Sequence, residues 1–168
     1  VEALAGQVMQ MSAAYMVPQR NDVNARKWAL RVLSGQTTAE AVEDAYRREA
    51  MKRFPWMKDL LQQGVTPEEF FAQHRAIIAN ELEVSEDQID FINNPTWSRV
   101  VNHRDPQTGQ LRPMTLSEAQ ILARSQPKWW NTQKGKAADA NTAAALLQMF
   151  GRRSFTSQPQ LGGLGLAS

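Results

Sequence analysis

The 168-residue sequence contains no cysteine. That excludes a disulfide framework and any zinc site built on thiolates. Histidine is scarce as well. His74 and His103 are the only two, and neither has a second histidine at the i, i+4 spacing of a helical zinc site. No run of 18 or more apolar residues occurs, so no membrane-spanning segment is expected in this piece. The glycine-lysine and glycine-serine signatures of nucleotide-binding loops and serine hydrolases are missing, as is H-E-x-x-H. The closing GGLGLAS is rich in glycine but has no strand pattern before it. No basic stretch followed by an apolar core opens the chain, and its start at Val1 reads as a piece of something longer. Neither a cofactor nor a metal is expected.

What is present suits a packed domain. Five tryptophans and six phenylalanines supply bulk for a core, and charged residues are 21% of the chain. The net charge of +2 conceals three blocks. Residues 20–58 carry a net +4, residues 59–90 a net −7, and residues 91–168 a net +6. An acidic centre between basic flanks neutralises itself within a fold or between subunits. A nucleic-acid partner is therefore possible but not favoured, because such a partner selects one basic face.

Helix punctuation runs the length of the chain. Four candidate capping boxes occur, at Thr37/Glu40, Thr66/Glu69, Ser85/Gln88 and Thr115/Glu118. Residues 2–17 read as an apolar, methionine-rich helix ended by Pro18. Residues 22–34 read as a second helix, apolar on more than one face and so buried, stopped by Gly35. Val42, Tyr46, Ala50 and Phe54 recur at i, i+4 and mark the inner face of a third. Arg47, Arg48, Lys52 and Arg53 lie on its other faces, mostly toward solvent, with Glu43 and Asp44 as partners. After Pro55, a short helix with Trp56, Met57, Leu60 and Leu61 ends at Gly64. Phe70, Phe71, His74, Ile77, Ile78 and Leu82 then form one stripe over three turns. His74 sits on it as a packed residue rather than a ligand. The Ser85/Gln88 box opens a short helix with Ile89, Phe91 and Ile92, and PTWSRVV starts another at Pro95. Asp-Pro and Thr-Gly within 103–114 are turn chemistry and mark the one place for a small β-hairpin.

The final pattern, 127–151, has Pro127 at its start and Asn131 and Thr132 as caps. Gly135 weakens its first turn, so the firm helix is placed after it. Gly151 is its expected stop. Ala140, Ala143, Ala144, Leu147 and Phe150 share one face, small at one end and bulky at the other. That face either covers the chain's own domain or packs against copies of itself. The expectation is an all-α irregular bundle of seven to eight helices. It is organised as N-terminal apolar helices over 1–35, a helical domain over 36–151, and a flexible glycine- and serine-rich tail over 152–168.

From about Phe54 onward the order of landmarks resembles the C-terminal region of large structural proteins of tailed bacteriophages. The fragments are RFPWMKDLLQQGVTPEEFF, NPTWSRVV, RPMTLSEAQILARSQPKWWNT and an alanine-rich helix closing at Phe150-Gly151. Some such proteins are tail tape-measure proteins and others are internal, ejected virion proteins. The resemblance spans roughly the last two thirds of the chain. It implies a non-enzymatic role by assembly. Several copies, a trimer or hexamer, would meet other tail-tip or tail-tube proteins in the virion and leave with the genome. An internal head protein at the portal is the alternative. A helical nucleic-acid-binding or adaptor domain is a further one, and so is a hydrolase using carboxylates near Glu81 and Glu83. The contact residues expected are Ala140, Ala143, Ala144, Leu147, Phe150, Leu161, Leu164 and Leu166. Lys134, Lys136, Arg152 and Arg153 are expected to face the acidic segment of a neighbour.

Overall fold

The computed structural model describes the backbone of residues 1–18 and 22–167 and the side chains of 1–18 and 23–151. Nine α-helices form an irregular all-α bundle with one small hairpin among these residues. They are α1 (Glu2–Ala14), α2 (Asp22–Leu33), α3 (Ala39–Arg53), α4 (Lys58–Gln62), α5 (Pro67–Phe70), α6 (Ala72–Leu82), α7 (Pro95–Val101), α8 (Leu116–Arg124) and α9 (Gln133–Ala167). Three 3-10 turns, at Pro55–Met57, Glu86–Gln88 and Pro127–Asn131, join them. Strands β1 (His103–Arg104) and β2 (Leu111–Arg112) pair antiparallel, with His103 opposite Arg112 and Arg104 opposite Leu111. The hairpin thus falls within the stretch whose turn residues predict it.

The core is one continuous cluster with an aromatic centre. Phe71 is fully buried and meets Trp56 edge-on at 5.7 Å, His74 at 5.0 Å and Phe91 at 5.9 Å between ring centroids. Tilted and edge-to-face rings at these distances add to the area they bury. Val42, Tyr46, Ala50 and Phe54 of α3 all face this core, as their i, i+4 spacing requires. Ala5 and Val8 of α1 and Ala25 and Ala29 of α2 belong to the same cluster, so α1 and α2 share the core of the rest.

Several elements differ from expectation for local reasons. The α3 cap is Thr38, whose Oγ1 accepts the N–H of Ala41, so the Thr37/Glu40 box does not form. The boxes at Thr66/Glu69 and Thr115/Glu118 form with both reciprocal bonds. Ser85 caps only a 3-10 turn, and its hydroxyl turns to Asp87 instead of the backbone. The stripe from Phe70 to Leu82 is split at Phe71, where α5 ends and α6 begins. Helix α2 buries its alanines and leaves Leu30 and Leu33 more than half exposed, because the close approach of α1 needs small residues. Arg53 is drawn inward to donate to the carbonyl of Met16, while Arg47 pairs with Glu43 and Asp44. Gly35 and Gly64 take positive φ at the ends of their helices, a conformation that suits glycine.

His74 is buried, and its Nε2 lies 2.6 Å from the carbonyl of Met114. Burial lowers its pKa, against the opposing effect of that bond. Its neutral form therefore belongs to the fold. Stability linked to it is present above pH 6.5 and is lost as pH falls.

Phe71→Ala is expected to cost about 4 kcal/mol by chemical denaturation, since it empties the aromatic centre. Leu33→Ala is expected to stay within about 0.5 kcal/mol of the parent.

Candidate assembly interface

The expected contact residues lie on α9, and the way α9 leaves the domain decides what they are able to do. Its start is set by Thr132, which is 3% exposed and accepts the N–H of Gly135 on Oγ1 at 3.0 Å. Both oxygens of Glu83 accept the N–H of Gln133, at 3.0 and 3.1 Å. A carboxylate there satisfies an open donor and meets the positive end of the helix dipole. Glu83 reaches this position from the left-handed residue that ends α6, at φ 54°.

Glu81, two residues before Glu83 in the chain, is the second anchor. Its side chain is 1% exposed. Its carboxylate accepts from Gln120 Nε2 at 2.6 Å, Arg124 Nε at 3.2 Å, the Trp129 indole at 3.2 Å and Lys134 Nζ at 3.4 Å. These donors come from α8, the 127–131 turn and α9. Burial pushes the Glu81 pKa upward, but the bonds from Arg124, Gln120 and Trp129, with the Arg124 charge, outweigh it and hold the group at about 2. Glu81 is ionised and fully committed to the fold. Sequence reading assigns such acids to caps and solvent faces. Nothing local marks Glu81 as buried, because its partners lie about forty residues or more downstream.

Gly135 reverses its expected role. It is buried, α9 begins before it, and a Cβ there would stand 2.0 Å from the Trp129 carbonyl oxygen. The glycine lets the helix start press onto the preceding turn. It does not mark a weak first turn.

Beyond this foot the helix leaves the domain. Ala140, Ala143 and Ala144 are exposed, Leu147 is 72% exposed and Phe150 61%. Leu146 and Met149 are exposed beside them. The expected face is therefore intact as a pattern but covers nothing of its own domain. Gly151 is helical, so the stop expected there is not realised. The contacts expected at Leu161, Leu164 and Leu166, and a flexible tail over 152–168, fall on residues whose side chains lie outside those described. Lys134 turns back to Glu81 of its own chain instead of a neighbour.

Among the described residues no group of three or more His, Asp or Glu is placed to hold a metal ion. No helix among them is long and apolar enough to cross a membrane. No family model matches the chain, and no curated protein or solved structure matches it either.

Two outcomes follow from the foot of α9. Gly135→Ala is expected to lower stability by about 2 kcal/mol despite alanine's better helix propensity, read as a drop in melting temperature. Glu81 gains its stabilising bonds as a carboxylate with a lowered pKa, so its contribution is present above about pH 4.5 and is lost as pH falls toward 2. Glu81→Gln is expected to destabilise the fold at neutral pH and to flatten the loss of stability across that acid window. A parent-like pH profile in the variant would count against the assignment.

Proposed function

We propose that this chain is a non-enzymatic structural protein of a tailed-bacteriophage virion, the C-terminal part of a tail tape-measure protein. On this reading several copies, three or six, assemble at the tail tip beside other tip or tube proteins and are released on infection. Support for the phage setting is the order of landmarks from Phe54 to Gly151. Support for assembly is α9, a helix held firmly at its foot whose apolar side has no partner among the described residues. The part whose side chains are described, Gln133 to Gly151, is about 28 Å long at 1.5 Å per residue. An isolated helix with such a side gains most of its stability from packing. A second copy is the simplest source of that packing. An internal protein at the portal would use the same assembly chemistry and differs in location alone. Nucleic acid fits less well, since Arg47 is already paired with acids of its own helix and Arg53 with the Met16 carbonyl.

Sedimentation of the purified chain tests this reading. A discrete trimer or hexamer that survives moderate salt is expected. Ala144→Trp is expected to shift the mass toward monomer by at least about tenfold in apparent Kd, with helicity unchanged by circular dichroism. An unaltered oligomer in that variant would overturn the use of the α9 face.

A further inference from the structure

Lys136, Ala140, Ala143, Leu147 and Phe150 of α9 are spaced four, three, four and three residues apart. That alternation sets them along one narrow seam of the helix, at the a and d positions of a coiled coil. All five are exposed, Leu147 and Phe150 most of all the large ones on this seam. From Ala140 to Gly151 no residue is charged. The seam is small toward the foot and large toward the far end. This gradient, with Lys136 at its start, determines how a second copy lies on it.

Laid in the same direction, each residue of the seam faces its own counterpart. Phe150 then meets Phe150 and Ala140 meets Ala140, so the axis separation that suits the first layer leaves the second unfilled. The same arrangement opposes Lys136 to Lys136 within the seam, and like charges so placed disfavour the contact. Laid in opposite directions about a point beside Ala145, the helices pair differently. Ala140 faces Phe150, Ala143 faces Leu147, and the two remaining layers repeat these by symmetry. Every layer then holds one small and one large side chain, so a single interaxial spacing of about 8–10 Å suits all four. The four layers end before Lys136, and no charged residue lies among them.

We propose that α9 pairs antiparallel with α9 of a second copy, with Ala140 packed on Phe150 and Ala143 on Leu147 across the seam. This rests on α9 being the self-association element and gives the direction and register of its contact. The contact is its own two-fold, so it fits the six-copy assembly as three pairs and does not fit the three-copy one.

The chain has no cysteine of its own, so introduced cysteines report the direction of pairing in the 168-residue chain. A disulfide needs Cα atoms within about 7 Å of each other. In the antiparallel pair the two copies of position 140 stand about 15 Å apart along the axis, and so do the two copies of position 150. Ala140→Cys and Phe150→Cys, each oxidised alone, are therefore expected to stay unlinked on a non-reducing gel. The two variants mixed before oxidation are expected to link at least about tenfold more. Sedimentation gives a second readout, with circular dichroism as the folding control. Ala140→Phe is expected to raise the apparent Kd at least about tenfold by setting two large side chains in one layer. Adding Phe150→Ala to it is expected to return association to within about threefold of the parent, since each layer again pairs small with large. Linking of either cysteine variant alone to the extent of the mixture overturns the antiparallel pair and leaves the α9 reading standing, and so does a parent that sediments as a discrete trimer. A parent chain that is monomeric at every concentration overturns both.

Discussion

A buried carboxylate must be satisfied on every side, and the Glu81 cluster shows how much structure one such group is able to organise. An ionised acid without partners in this position would cost many times the stabilisation of an ordinary contact. Its donors are Gln120 and Arg124 of α8, the Trp129 indole and Lys134 of α9. They come from three successive steps of the chain's path after the hairpin, α8, the 127–131 turn and α9. Satisfying Glu81 therefore fixes how α8 lies on α6, where the 127–131 turn sits, and where α9 begins. Glu83 adds a cap at that last point, and Gly135 removes the side chain that would hold the helix away. Burial, charge and close approach all converge on one corner of the domain.

A second charged cluster supports the hairpin in the same manner with less burial. Arg112 donates to Asp105 at 2.8 Å and to Glu118 at 2.7 Å. The Arg112 bond, followed by backbone N–H groups of Thr108 and Gln107, holds Asp105 at about 2. The same guanidinium and the Thr115 N–H hold Glu118 at about 2. Glu118 also completes the capping box of α8. A two-residue strand pair has little intrinsic stability. Here its second strand is tied to the start of the next helix, which passes directly to the Glu81 corner.

Much of the architecture was legible because it depends on local chemistry. The i, i+4 series from Val42 to Phe54, the Thr66 and Thr115 boxes, the glycine stops at 35 and 64, and the turn residues of 103–114 all act over a few positions. What escaped was tertiary. Glu81 and its donors are about forty to fifty residues apart, and no local pattern distinguishes it from the solvated acids around it. Gly135 looked like a helix weakness because propensity is local, whereas the oxygen it accommodates belongs to a packed turn. The burial of α2 was overestimated for a related reason. Its large residues set the periodicity, but the small ones, Ala25 and Ala29, set the approach of α1. The stripe of α9 is a pattern of the sequence, while its exposure among the described residues required the fold.

The attachment of α9 at one end makes it a lever with its fulcrum at the Glu81 corner. Over the roughly 28 Å from Gln133 to Gly151, a tilt of about 10° at the foot carries the far end through about 5 Å. That is about one helical turn, enough to move a side chain from one depression of a facing surface to the next. Small changes in packing around Trp129 are thereby magnified at the far end. The geometry of anything that grips the outer helix is governed by contacts in the interior of the domain.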